Sequence, residues 1–145
     1  MKTLLSEQLG LLEKQHRWLE LSFMETNAIG LKADYSIDEF GKFETLCSRF
    51  ARSIDFLIRK YLRTLDAYEF ETQGTLIDVV NRAHKRGLFD DIKEIHIMKD
   101  IRNSIVHEYI EDDLVVLFDE LLLYTPKLLA FMQKSMDYTH KTLDR

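Results

Sequence analysis

Glycine, proline and cysteine are scarce in this chain of 145 residues. Five glycines and one proline fall well below the average usage of about 12% for the two residues together. This scarcity disfavours many-turned β-sandwiches and Gly-rich or Pro-rich disordered chains. The single cysteine, Cys47, has no partner for an internal disulfide, which is compatible with the cytoplasmic location that we expect.

Long apolar runs and an excess of positive charge are also lacking. Glu7 interrupts the N-terminal stretch where a signal peptide would need its apolar core, and no run reaches the roughly 18 apolar residues of a membrane span. We therefore expect no membrane insertion. The formal net charge of −5 supplies no overall positive field, so binding to nucleic acid would need a local basic patch.

The chain has the composition and the length of one globular domain, predicted to cover residues 1–145. Hydrophobic residues make up 46% and charged residues 31% of the sequence, which is typical of a folded protein rather than a disordered one. Apolar residues recur at steps of three and four along most of the chain, whereas no strand pattern, internal repeat or linker is visible. The sequence therefore predicts an all-α fold.

Five helices are predicted from this periodicity, over the approximate ranges 4–28, 36–66, 74–86, 90–109 and 114 onward. Ser36 or Asp38 is expected to cap the second helix, and Gly87 to end the third as a left-handed residue. Pro126 follows Thr125, a good N-cap residue, so the last segment is expected to be kinked or split there. Short connections predict an antiparallel helical bundle.

The second predicted helix carries a basic stripe opposite its apolar face. At about 100° per residue, six cationic residues fall within roughly 100° of arc: Lys42, Arg49, Arg52, Arg59, Lys60 and Arg63. Phe56 lies in the middle of the stripe. Either this is a solvated face, or it is a phosphate-binding groove with a stacking aromatic, or a basic dimer face. Arg52, Phe56, Arg59 and Arg63 are thus candidate contacts for RNA or a partner.

The fourth predicted helix ends in the pattern RNxxxHxY, formed by Arg102, Asn103, His107 and Tyr109. Its chance expectation in a chain of this composition is below roughly one in a thousand. Arg and His near a helix C-terminus also favour the dipole and can cap carbonyls. That role does not explain why Arg102 shares a side with apolar residues, because a guanidinium there must be paired or face an interface or cleft.

These eight residues resemble the signature of the HEPN superfamily, and Tyr109 makes them similar to the HepT-type toxins. The resemblance implies an all-α bundle that dimerises with its motif helices facing each other and cleaves RNA without a metal. Such toxins are encoded beside a minimal nucleotidyltransferase antitoxin, which neutralises them by adding AMP to the motif tyrosine. The implied catalytic residues are Arg102 and His107, with Asn103 in support and Tyr109 as the modified residue.

Cleavage through the 2′-hydroxyl of RNA requires a base, an acid and a cation beside the phosphorus. One motif offers one imidazole and one guanidinium, which point about 140° apart on a regular helix. A homodimer would supply two of each, so that one His107 acts as base and the other as acid. An AMP group on Tyr109, nearly in line with Arg102, would block the site by charge and volume.

The alternative is a non-catalytic HEPN-like protein that binds nucleotide or forms the substrate-binding half of a nucleotidyltransferase pair. Tyr109 can also be interpreted as a partly buried residue at the end of its helix. This structural role is compatible with its role as the modified residue. The sequence predicts no cofactor and no metal site, because it contains no glycine-rich phosphate loop and no convincing set of ligands.

Overall fold

All the regular elements that the structure describes are helices. The computed structural model describes residues 1–70, 74–107 and 114–145, and of residue 107 only the backbone. The elements are α1 (Lys2–Ile29), α2 (Ile37–Phe56), a π-helical turn (Leu57–Tyr61), α3 (Leu62–Tyr68), α4 (Leu76–Lys85), α5 (Ile92–His107) and α6 (Leu114–Leu143). Because α2, the π turn and α3 are continuous, the predicted set of five helices is confirmed.

The ends of the middle helices follow local capping chemistry. Ser36 Oγ accepts a hydrogen bond from the Glu39 amide at 3.1 Å, and the Glu39 carboxylate accepts one from the Ser36 amide at 3.0 Å. Thr75 and Asp78 make the same reciprocal capping box at the start of α4. Gly87, with φ of 78°, takes the left-handed conformation expected after a helix.

Two pairs of helices that follow one another in the chain, α1 with α2 and α5 with α6, run in opposite directions. Residues 30–36 connect α1 to α2, and further along the pair Arg49 Nη1 donates to the Trp18 carbonyl at 3.1 Å. On the other side of the bundle, Lys127 of α6 binds Glu94 near the start of α5 at 2.8 Å. The predicted antiparallel helical bundle is therefore confirmed.

All the helices contribute buried residues to one core, in which α2 and α6 run in the same direction. Near the start of both helices the Phe43 and Phe118 rings stack with centroids 4.3 Å apart. Further along, the Tyr61 hydroxyl donates to Thr139 Oγ1 at 2.5 Å. Burial raises the pKa of Tyr61 to about 12, because a phenolate could not be solvated there.

Pro126 lies inside α6, which continues unbroken from Leu114 to Leu143. Of the two alternatives predicted at this proline, a kink or a split, the split is therefore wrong. Thr125 does not cap a new helix, and its side chain is fully buried with an Oγ1 that has no hydrogen-bond partner among the described residues. Burial of Leu121, Thr125 and Leu128 along one seam outweighs the missing proline N–H, since tertiary packing supplies most helix stability in a bundle.

A buried ionic cluster fastens α3 to α4 and α6. The carboxylate of Asp66 is 2% exposed and binds Arg82 at 3.1 Å and Arg86 at 2.5 Å. Glu69 accepts hydrogen bonds from Arg86 at 3.0 Å and from the Tyr138 hydroxyl at 2.7 Å. Within the described ranges, no helix combines the length and apolar character needed to cross a membrane.

Candidate functional site

Arg102, the first residue of the motif, lies on α5 and is paired with Asp55 of α2. Its Nε is 3.0 and 3.1 Å from the two carboxylate oxygens, and its Nη2 is 3.0 Å from Oδ2. The two side chains are only 26% and 35% exposed. The expectation that this guanidinium must be paired or face a cleft is thus confirmed.

The pair opens onto a small pocket between α2, α4 and α5, which we call the Arg102 pocket. It has a volume of about 290 Å³ that includes open solvent, and it is lined by Ile54, Asp55, Ile58, Arg59, Leu76, Lys99, Arg102 and Asn103. The side-chain oxygen of Asn103 accepts from Arg102 Nη1 at 3.3 Å. Three sequence-predicted residues, Arg59, Arg102 and Asn103, therefore meet in one place.

The π turn determines which cations reach this pocket. A π turn inserts an extra residue relative to an α-helix, so the residues after it rotate away from their regular positions. Arg59 lies within the turn and lines the Arg102 pocket, with its Nε 3.9 Å from Asp55 Oδ1. Arg63, beyond the turn, donates to the Gly74 carbonyl at 3.0 Å.

The predicted basic stripe is not one continuous face, because its arginines contact different elements of the bundle. Arg49 contacts α1, Arg59 faces α5, and Arg63 holds the segment before α4. The stripe prediction is wrong in this respect. Arg52 remains exposed on the outer side of α2 and donates to Ser48 Oγ at 2.7 Å.

Phe56 does not stand out into solvent as the stripe suggested. It is half-buried and packs against the core, with its ring centroid 6.4 Å from that of Tyr61. The following π turn brings Tyr61 back toward it, which regular helical geometry did not anticipate. As a candidate contact for RNA or a partner, Phe56 therefore offers only part of its ring.

The second half of the motif is described less fully. Helix α5 remains α-helical through His107, which is the condition under which we expect Arg102 and His107 to point about 140° apart. The side chain of His107 lies outside the described residues, as do Tyr109 and the rest of the segment 108–113. Their predicted roles stay predictions.

The Arg102 pocket has the chemistry of an anion-binding site that already contains one carboxylate. Arg59, Lys99 and Arg102 supply three positive charges, against which Asp55 supplies one negative charge. Asp55 occupies Nε and Nη2 of Arg102, while Nη1 faces Asn103 and the pocket. A phosphate oxygen could bind at this nitrogen while Asp55 keeps the guanidinium in place.

Sequence reasoning missed Asp55 and Lys99. Asp55 could have been found as an acidic residue in the middle of a basic stretch, one helical turn before Arg59. Lys99 could have been found because it precedes Arg102 by three residues, which places both side chains on one side of a helix. Among the described residues, no group of three or more His, Cys, Asp or Glu side chains could hold a metal ion.

Comparison with protein-family models, with curated proteins and with solved structures yields no match.

Proposed function

We propose that this chain is a HEPN-type ribonuclease toxin that acts as a homodimer and is silenced by a minimal nucleotidyltransferase antitoxin in the cytoplasm. The observation that carries the proposal is the placement of Arg102. The motif arginine is held by a carboxylate in a cationic pocket, and it donates to no backbone carbonyl of the described residues. A guanidinium fixed in a pocket is suited to bind a phosphate.

The proposed reaction is cleavage through the 2′-hydroxyl of RNA. One His107 takes the proton of the 2′-hydroxyl as its oxygen attacks phosphorus, and a second His107 donates a proton to the departing 5′-oxygen. The bond between phosphorus and the 5′-oxygen breaks, which leaves a cyclic phosphate and a free 5′-hydroxyl. Arg102 stabilises the charge that develops on phosphorus.

The homodimer is part of this proposal because a single chain supplies one motif histidine. Histidine suits both duties, since its ordinary pKa of about 6.5 lies close to physiological pH. Asp55 acts as a positioning residue for Arg102. Asn103, bonded to Nη1 of the same guanidinium, supports that orientation.

Adenylylation of Tyr109 supplies the proposed control. An added phosphate on this residue would compete with RNA for the arginine and would fill the space at the motif. Incubation with the adjacent nucleotidyltransferase and ATP should add at least one AMP mass to Tyr109. No added mass, or mass on another residue, would remove the antitoxin from the proposal.

RNA cleavage by the purified protein in the presence of a chelator tests the catalytic assignment. Arg102→Ala and His107→Ala should each abolish cleavage while the dimer persists in sedimentation analysis. His140→Ala and Arg145→Ala are the matched controls, because both positions are exposed and lie outside the motif. Full cleavage by His107→Ala would overturn the assignment.

A second candidate is a non-catalytic protein of the same fold that binds nucleotide. The observation that favours it is the ion pair between Arg102 and Asp55. Asp55 occupies two of the donor nitrogens of Arg102 and offsets part of the positive charge that catalysis would need at phosphorus. Nucleotide binding by wild-type protein that leaves every RNA intact would select this candidate.

A further inference from the structure

A second concave surface lies on the other side of α2, between α2 and α1. It is lined by Gln15, Trp18, Arg49, Arg52 and Ser53, and its volume of about 600 Å³ includes open solvent. We call it the Trp18 depression. It contains two arginines and the only tryptophan of the chain, none of which belongs to the motif.

Trp18 is widely accessible and contacts one of the arginines. It is 54% exposed, although tryptophan is highly buried on average in folded proteins. The guanidinium carbon of Arg49 lies 5.0 Å from the indole centroid, and Nη1 of Arg49 also donates to Ser22 Oγ at 2.6 Å. The exposed part of the indole ring can stack with another planar group.

The charge of the depression favours an anion. Its lining contains Arg49 and Arg52 but no carboxylate, and no acidic side chain of the described ranges makes an ion pair with either arginine. The Arg102 pocket, by contrast, contains Asp55. In a chain of net charge −5, this local excess of two positive charges stands out as an anion-binding surface.

A polar group in the same depression lacks a partner. Gln15 Oε1 is buried without a hydrogen bond to any described residue, so this oxygen is closed to a ligand unless the side chain rotates. The nucleotide match therefore depends on the other lining groups. An aromatic ring beside two guanidinium groups matches a nucleotide more closely than a bare phosphate.

We propose that the Trp18 depression binds a nucleotide of single-stranded RNA, with its base stacked on Trp18 and its phosphate on Arg52. The proposal rests on the proposed ribonuclease function and adds an RNA-binding subsite to it.

The fluorescence of Trp18 is the direct measurement, because no other tryptophan contributes to the signal. The probe is a short single-stranded 2′-O-methyl RNA, which binds but offers no 2′-hydroxyl for cleavage. Titration should quench the fluorescence in a saturable manner. The same sequence as a duplex should quench far less, since its bases are already stacked, and inorganic polyphosphate should leave the signal unchanged.

Variants assign the two contacts by the anisotropy of a labelled probe. Trp18→Leu should weaken binding about tenfold and Trp18→Phe less, since phenylalanine retains a stacking surface. Arg52→Ala should weaken binding about fivefold at low salt and reduce the salt dependence by about one counterion. The control is Lys134→Ala, which removes one positive charge from α6 away from both surfaces.

The outcomes separate this proposal from the ribonuclease proposal. Equal quenching by duplex or polyphosphate, or unchanged affinity in Trp18→Leu and Arg52→Ala, would overturn the subsite even if RNA is cleaved. Weaker binding of the labelled probe by both variants, measured by anisotropy, would establish the subsite even if no RNA is cleaved. His107→Ala should bind the probe as tightly as the wild type.

Discussion

The ion pair between Arg102 and Asp55 is expected to couple α5 to α2 by about 1.5 kcal/mol. Three nitrogen–oxygen distances of 3.0 to 3.1 Å join the two groups, and the side chains are 26% and 35% exposed. Exposed pairs contribute about 0 to 1 kcal/mol, whereas breaking a fully buried pair costs about 3 to 5 kcal/mol. Partial burial places this pair between the two limits.

A double-mutant cycle of Asp55→Ala and Arg102→Ala measures this coupling from urea unfolding at one protein concentration. The matched control is a cycle between Asp55 and Arg59, whose Nε is 3.9 Å from Oδ1 and whose side chain is 61% exposed. That cycle should give about 0.3 kcal/mol and should vanish in high salt. A coupling below about 0.5 kcal/mol for Arg102, or equal values for the two arginines, would refute the positioning role of Asp55.

Two further predictions concern stability. Asp66→Ala should lower the free energy of unfolding by about 3 kcal/mol in urea titration, because it removes a buried carboxylate that binds the largely buried Arg86. Asp90→Ala, from an exposed pair with 91% exposure at the carboxylate, should change it by less than about 0.5 kcal/mol, and similar losses for both would contradict the burial argument. The pKa of Tyr61 is raised to about 12 in the folded protein, so as the pH rises the phenol ionises in the unfolded chain before it ionises in the folded one. The stabilisation that comes from this pKa difference is therefore complete below pH 10 and is lost as the pH rises toward 12. Stability measured by urea unfolding above pH 10 should therefore fall more steeply in the wild type than in Tyr61→Phe, and parallel slopes would show that Tyr61 is not protected from ionisation.

Helix identity and core residues could be predicted because burial follows the apolar period. Within α2, apolar residues that recur at steps of three and four are buried, among them Phe43, Cys47 and Phe50. Helix ends were predictable where a side chain satisfies the backbone, as at Ser36 and Gly87. Both signals are local in sequence, so no knowledge of the tertiary structure is needed.

The π turn and the partners of the arginines could not be predicted in the same way. Ile54, Ile58 and Leu62 are buried at successive steps of four residues. Side chains four residues apart stay closer to the same side of a helix when it contains a π turn than when it is a regular α-helix. That signal is weak because an α-helix also buries residues four apart. The pairing of Arg102 with Asp55 joins residues 47 positions apart and depends on how α5 packs against α2.

Pro126 shows how tertiary packing outweighs a local signal. A Thr-Pro pair is a good helix start, yet α6 passes through it unbroken. Proline removes one backbone hydrogen bond from the helix. Burial along much of one side of this helix of 30 residues contributes more stability than that hydrogen bond would.

Mixed dimers test the central claim, that one active site uses His107 from both subunits. Wild-type and His107→Ala chains are unfolded together in equal amounts, refolded so that their subunits exchange at random, and assayed for RNA cleavage. If both histidines are needed, only wild-type homodimers are active, and the mixture retains about one quarter of the activity of the same total amount of wild-type protein. Retention of about one half would show that each chain cleaves RNA with its own His107 and would contradict the shared site.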